Sequence, residues 1–166
     1  MPKFKLQKLS PSDGEDIYNF LQEIPAEQNG FNNIFNGMSY EEFKKELVVR
    51  NDESENLNIG EDRVPQTLFW MYADNEPVGF VKIRHYLNDY LEKHGGHMGY
   101  TISPKYQGKG YATKMVELAL MEAKKLGIDK ILITCDKNNF ASRRVAEKNG
   151  GILESDVEFC RYWIEL

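Results

Sequence analysis

The stretch Pro104-Lys105-Tyr106-Gln107-Gly108-Lys109-Gly110-Tyr111-Ala112 is where residue types first converge on a chemical task. Two glycines one residue apart let the backbone turn tightly with its N–H groups converging, free of Cβ interference. A helix starting directly behind such a turn has N–H groups without intrahelical partners and a partial positive charge, so an anion can sit there. Lys109 adds a full charge. The turn is therefore a candidate phosphate cradle, and the competing reading is a tight, flexible Gly-Lys-Gly loop. Two familiar phosphate patterns do not fit: GxxxxGK[ST] is absent, and GxGxxG fails because Thr113 stands at the third glycine position. What the residues do fit is Gln/Arg-x-x-Gly-x-Gly/Ala, with Gln107, Gly110 and Ala112 in the specified places.

The surrounding sequence supplies the elements such a turn needs. Gly95–Ile102 reads as a strand stopped by Pro104. Gly108–Leu126 is the strongest helix, with Ala112, Met115, Val116, Ala119, Ala123 and Leu126 on one face and Gly127 as C-cap. Ile131–Cys135 is a short β-branched run that reads as a buried strand, and Phe140–Asn149 is a helix closed by Gly150. Upstream, Phe4, Leu6 and Leu9 suggest a first strand. Ser12 with Glu15 and Ser39 with Glu42 are capping-box patterns opening two helices, separated by an irregular Asn-rich loop over Glu27–Met38. Asn51–Arg63 is polar and reads as a flexible loop. Thr67–Ala73 and Val78–Arg84 form a hairpin around the turn Asp74-Asn75-Glu76-Pro77, and two last strands fall within Gly151–Glu158 and Phe159–Leu166. The order β-α-α-β-β-β-α-β-α-β-β predicts one mixed α/β domain over residues 1–166, without a repeat or linker.

The succession strand, Gln107–Ala112 turn, helix, strand, Asn139, helix resembles the GNAT acyltransferase superfamily from about Gly96 to Gly150. The turn carries the resemblance together with Cys135-Asp136-Lys137-Asn138-Asn139-Phe140-Ala141-Ser142 and Glu147-Lys148-Asn149-Gly150. The resemblance implies a mostly antiparallel, twisted sheet of about seven strands, a parallel pair splayed around the cofactor, and about four flanking helices. It implies acetyl-CoA as acyl donor, its pyrophosphate held by Gln107, Gly108, Lys109, Gly110, Tyr111 and Ala112, with Thr113 adding a hydroxyl. The pantetheine arm would lie along Met98–Ser103, nearest Tyr100, Thr101 and Ile102, with a backbone amide near a strand bulge polarising the thioester carbonyl. Asn139 and Ser142 fit the family's Asn-x-x-Ser/Ala pattern. Asn139 would bond the pantetheine; both residues are also good helix caps. The Tyr that many members carry four residues further on is replaced by Ala146, so that general acid does not carry over. The run Ser142–Lys148 looks closer to members that modify protein N-termini and small amines without that Tyr.

Attack on a thioester requires a neutral amine, hence a proton acceptor. His97, at the head of the strand leading to the turn, is the first candidate base, against the plain reading of a hydrogen-bonded histidine. His85 follows the third strand. Glu27, in the loop that covers the acceptor site in this family, and Glu158 are carboxylate alternatives, each otherwise a solvated charge. Phe31, Tyr40, Trp70, Tyr86 and Tyr162 are candidates to line a pocket or simply core. His94 and His97 lack the further ligands a zinc site needs, and no metal is expected. Cys135 and Cys160 have no activating partners and read as structural.

Composition sets the limits. The chain has 166 residues, 28% charged and 41% hydrophobic, which is enough for one domain with a core. Its 21 Lys and Arg against 26 Asp and Glu leave a net charge of -5, which argues against nucleic acid and points to a small-molecule or peptide amine acceptor of cationic kind. No signal peptide or membrane span is readable, so a cytoplasmic protein is expected. Edge strands at the C-terminus leave room for a homodimer. The expected activity is direct transfer of acetyl from acetyl-CoA to a primary amine in a ternary complex. The competing readings are a non-catalytic CoA-binding sensor and, outside the family, a nucleotide-phosphate binder.

Overall fold

The structure, a computed structural model, describes residues 1–166. Along the chain run β1 (Phe4–Lys8), α1 (Glu15–Gln22), β2 (Glu27–Gln28), β3 (Phe31–Asn32), α2 (Tyr40–Ser54), β4 (Gln66–Ala73), β5 (Glu76–Arg84) and α3 (Asp89–Lys93). Then come β6 (Met98–Ile102), α4 (Tyr111–Lys125), β7 (Lys130–Cys135), α5 (Phe140–Lys148), β8 (Ile152–Ser155) and β9 (Cys160–Glu165). The strands form two antiparallel sheets, ordered β1-β4-β5-β6 and β7-β9-β8, while β2 and β3 pair as a small hairpin. The expected class, a mixed α/β fold, holds, but there are nine strands in place of about seven, and the one central sheet expected is divided into sheets of four and three.

Local chemistry accounts for most boundaries. The β4–β5 hairpin turns through Asp74 (φ 48°) and Asn75 (φ 70°), the paired positive φ of a turn whose twist matches that of the strands. Of the two capping boxes, only one forms. Ser39 accepts the Glu42 N–H at 3.1 Å and Glu42 Oε1 accepts the Ser39 N–H at 2.9 Å. Ser12 caps nothing; α1 starts after Gly14, and the Ser12 hydroxyl pairs with that of Ser10. A tertiary partner displaced the local one: the buried Asp13 carboxylate accepts both the Ser10 N–H and the Trp70 indole N–H at 2.8 Å, which fixes the chain just upstream.

Helix α4 buries Met115, Val116, Ala119 and Ala123 in a core that also holds Met71, Val81, Ile83, Ile131 and Ile133 from the two sheets. A second core lies on the other face, where Ile17, Phe20 and Leu21 of α1 and Phe43 and Leu47 of α2 surround Trp70 and Phe80. Three elements depart from expectation. The Asn-rich loop contains β2 and β3. Helix α2 continues to Ser54 because Glu53 is buried and ion-paired with Arg50 and Arg63, a partner far outside any helical spacing. The connection after β5 holds the five-residue α3, capped by the Asn88 side chain accepting the Leu91 N–H; the flanking loop hid it. The flanking helices thus number five.

The two sheets meet at β6 and β7, which α4 connects by a crossover. They touch where β6 begins: the His97 N–H donates to Leu132 O at 2.8 Å, and the Leu132 N–H donates to His97 Nδ1 at 2.9 Å. Beyond that point no ladder joins them, and the opening between them is the site. No helix is long and apolar enough to cross a membrane.

Candidate functional site

The glycine turn begins with a short 3₁₀ turn, Pro104–Tyr106, and ends at the first residue of α4. Gly108 (φ 76°) and Gly110 (φ 81°) are both left-handed, a conformation a side chain would strain. The first backbone bond closing α4 runs from the Lys114 N–H to Gly110 O at 3.3 Å. The six N–H groups from Gly108 through Thr113 find no acceptor within the chain. Unpaired N–H groups at a helix N-terminus can receive an anion, so the turn is a candidate anion site built from main chain alone. Gln107 ties the turn to β6 by donating from Nε2 to Ile102 O at 3.2 Å.

From this turn a cleft of ≈ 1290 Å³ runs between β6 and the β7–α5 segment. One edge of β6 pairs with β5, and the Ser103 N–H→Val78 O and Arg84 N–H→His97 O bonds fix which residues face which way. By antiparallel alternation, the backbones of Gly99, Thr101 and Ser103 face β5, as does the His97 carbonyl, while those of Met98, Tyr100 and Ile102 face the cleft, where Gln28 and Gln107 donate to Ile102 O. The close approach of β5 depends on Gly79, where a Cβ would fall 2.5 Å from Thr101 O.

Side chains cross the opening. The Tyr100 and Ser142 hydroxyls lie 2.7 Å apart, joining β6 to α5. Burial pushes the Tyr100 phenol well above its usual range, so it stays protonated. Asn139 caps α5 by accepting the Ser142 N–H at 3.2 Å, while its Nδ2 donates to Asn29 O at 3.3 Å. Gln28 Nε2 donates to Thr101 Oγ1 at 2.7 Å and to Ile102 O at 2.8 Å, closing the β2–β3 hairpin onto β6.

The residues singled out from sequence therefore divide. Gln107, Gly108, Gly110, Tyr111, Ala112, Thr113, Tyr100, Ile102, Asn139 and Ser142 all line the cleft. Lys109 is exposed on the turn. Thr101 reaches the cleft with its side chain, but its backbone belongs to the β5 ladder, and Met98 takes its place on the free edge. No bulge interrupts β6. His97 is not among the residues that line the cleft. It is 7% exposed, lies off the cleft wall, and accepts a backbone N–H through Nδ1, so the neutral ring carries its proton on Nε2 and offers no free lone pair. Burial, then the charge of Arg84, lowers its pKa to about 4. Glu27 is exposed beside the cleft, its Oε1 accepting the Gly30 N–H at 2.7 Å within the hairpin turn.

Sequence reasoning missed the opposite end of the cleft. Lys82 and Arg84 of β5, Tyr90 and His94 around α3, and Phe159 line it together with Gln28–Asn32. The His94 ring packs between Tyr90 (5.2 Å) and Phe159 (5.8 Å) and has no hydrogen-bond partner. One signal was available: in Phe80-Val81-Lys82-Ile83-Arg84 the alternation puts Val81 and Ile83 in the core and both cations on the other face.

Known proteins resemble this chain in family and in fold. The family model described as "Acetyltransferase (GNAT) domain" matches residues 3–152. An uncharacterised N-acetyltransferase of Bacillus subtilis, YnaD, is 34% identical over 72 residues, a match spanning 43% of this chain and 42% of that protein. Among solved structures, the RimL ribosomal L7/L12 alpha-N-protein acetyltransferase in complex with coenzyme A superposes with TM-score 0.73 at 16% identity, covering 98% of this chain and 94% of that one. The ribosomal-protein-S5-alanine acetyltransferase of Vibrio fischeri gives TM-score 0.69 at 17% identity, covering 99% and 94%.

Proposed function

The chain belongs to the GNAT acetyltransferase family, and from that premise we propose that it moves an acetyl group from acetyl-CoA to a primary amine by direct transfer. One observation carries the reading: six consecutive unpaired N–H groups, Gly108–Thr113, open onto a cleft whose neighbouring wall is the free edge of β6. When bound, acetyl-CoA supplies the acetyl group activated as a thioester. The amides of Gly108–Thr113, supported by Lys109, hold the pyrophosphate, with Arg144 and Lys148 on the same cleft. The main-chain groups of Met98 and Tyr100 and the Ile102 N–H pair with the pantetheine arm as a neighbouring strand would, and an N–H among them meets the negative charge that develops on the acetyl oxygen. Asn139 adds its side-chain amide.

Tyr100 and Ser142 serve the departing sulfur. A phenol held protonated by burial is a poor proton source for a thiolate but a persistent hydrogen-bond donor, and the serine hydroxyl extends its reach. The pair thus takes the part of the missing tyrosine at Ala146 by hydrogen bonding, and the proton itself comes from the attacking amine or water. His94, not His97, is the base we assign, because its ring lines the amine end of the cleft with no partner to displace. No covalent acyl-enzyme is involved: burial pushes the cleft's Cys135 thiol up to about 11, leaving no thiolate at neutral pH. Positioning then contributes much of the rate.

The test is titration calorimetry with acetyl-CoA, followed by thiol release against a panel of primary amines. Binding and amine-dependent release support the reading. A folded protein that binds no acetyl-CoA at high micromolar concentration contradicts it. Binding without release to any amine would instead favour a sensor.

A further inference from the structure

The amine end of the cleft has the wrong charge for the acceptor that the whole chain's balance suggests. Net charge is -5, yet the cleft's Lys and Arg linings are Lys82, Arg84, Arg144 and Lys148, against one carboxylate, Asp136. Arg144, Lys148 and Asp136 belong to the α5 side. Lys82 and Arg84 stand alone at the other end, two residues apart on one face of β5 and hence about 7 Å apart along the strand.

Neither cation has an anionic partner. Lys82 Nζ makes no hydrogen bond or ion pair and lies 5.1 Å from the centroid of the Phe31 ring. Arg84 spends Nη1 on Gly95 O (3.1 Å) and Gly96 O (3.0 Å), which leaves Nε and Nη2 without acceptors. The acid both feel, Glu53, is already ion-paired with Arg50 and Arg63. Two half-buried like charges without a counter-ion are unfavourable unless a ligand completes them. The backbone is also shaped around Lys82. Gly99, its partner across the β5–β6 ladder, would with a Cβ meet Lys82 Cε at 2.9 Å and Phe31 Cε2 at 3.3 Å, so its missing side chain lets the lysine stem cross β6 toward the cleft.

We propose that Lys82 and Arg84 form a carboxylate pocket, so that the acceptor is an amine bearing a carboxylate. The assignment of this ligand as an acceptor rests on the acetyltransferase reading; the pocket itself does not. The carboxylate sits between the lysine ammonium and the free edge of the guanidinium, and orients the amine toward the β6 edge. Burial and the neighbouring Arg84 lower the Lys82 pKa to about 8, the state of a cation lacking its counter-ion. Two sources share this chemistry: a free amino acid, or a peptide N-terminus followed by Asp or Glu.

Two measurements test the pocket. Glutarate, a dicarboxylate without an amine, is titrated calorimetrically into the wild-type protein and into Lys82→Gln. Separately, kcat/KM is compared between ω-amino acids and their carboxamides, and between hexapeptides with Glu or Gln at positions two and three. Saturable glutarate binding that Lys82→Gln loses, with carboxylates favoured at least about tenfold and the ratio collapsing toward one in the variant, is the expected result. Lys82→Arg should restore part of the ratio. Whichever arm shows the preference identifies the source. No glutarate binding with a wild-type ratio near one overturns the pocket, as does a ratio that survives Lys82→Gln. If no amine is acetylated, the acetyltransferase reading fails and glutarate alone decides the pocket. Should Lys82→Gln not fold, the wild-type measurements with Lys82→Arg carry the decision.

Discussion

The two ends of the cleft are made of different material. At the α4 end the ligand-facing groups are backbone amides, presented by two left-handed glycines and a helix N-terminus. At the opposite end they are side chains drawn from β3, β5, α3 and the loop before β9. A main-chain site depends on conformation and tolerates change of side chain, whereas a side-chain site is set by a few identities that a single substitution can reverse. The first suits a donor common to a family, and the second suits an acceptor particular to one chain.

That contrast can be broken at either end. The largest effect is expected from Gly110→Trp, which strains the left-handed position and fills the turn. Losing two charge-assisted hydrogen bonds corresponds to about a hundredfold or more in acetyl-CoA affinity. Because no atom lies within 4 Å of the site of the added Cβ, the fold should survive, and glutarate binding at the far end should change by less than about twofold. Parallel loss of both ligands in a folded variant would merge the two ends into one site.

His97 comes next, as the joint from which the strands separate. Its folded pKa of about 4 lies below the unfolded value of 6.5. The neutral form is therefore the one folding favours: its contribution is fully present above about pH 6.5 and is lost as pH falls toward 4, by up to about 3 kcal/mol. Urea denaturation at pH 7 and pH 4.5 should show this acid sensitivity in the wild type and a smaller one in His97→Gln. With a saturating amine, kcat should fall by about a hundredfold in His94→Ala and change by less than about twofold in His97→Gln. The reverse pattern would return the base to His97.

Gly79→Ala places a methyl 2.5 Å from Thr101 O and 2.7 Å from Ile102 Cδ1. Overpacking of that kind costs about 1–3 kcal/mol, or roughly 3–10 °C in Tm, and should weaken acetyl-CoA binding by displacing β6. An unchanged Tm would mean the β5–β6 contact is looser than drawn. The smallest effect concerns pH. Lys82 faces Phe31 on β3, Arg84 on its own strand, Arg63 before β4, and Arg50 and Glu53 on α2. The arginines stay charged, so Lys82 alone titrates near pH 8. The carboxylate-to-carboxamide ratio should be full below that value and fall severalfold above it. A ratio constant to pH 9.5 would remove Lys82 from the pocket.

The glycine turn and the elements around it were legible in the sequence because glycine, helix start and strand alternation are local signals. Gly108, Gly110 and the α4 stripe needed no tertiary knowledge. What failed were inferences in which a distant partner decides. Ser12 and Glu15 satisfied a local capping pattern, but Asp13 was claimed by Trp70, 57 residues away. His97 was read as a base from its place before the turn, whereas Leu132, on a strand reached only through α4, occupies its lone pair. Net charge averages over a surface, and Lys82 and Arg84 at one end of the cleft are a local exception to it. Their pairing on one strand face was visible in the alternation of β5, but the side of the sheet that meets the cleft was not.

Amide hydrogen exchange with and without acetyl-CoA tests the main-chain donor site most directly. The account predicts protection concentrated at Gly108–Thr113 and at Met98, Tyr100 and Ile102, with Thr101 and Ser103, already bonded to β5, unchanged. Tight acetyl-CoA binding that leaves the Gly108–Thr113 amides exchanging as in the free protein would contradict it.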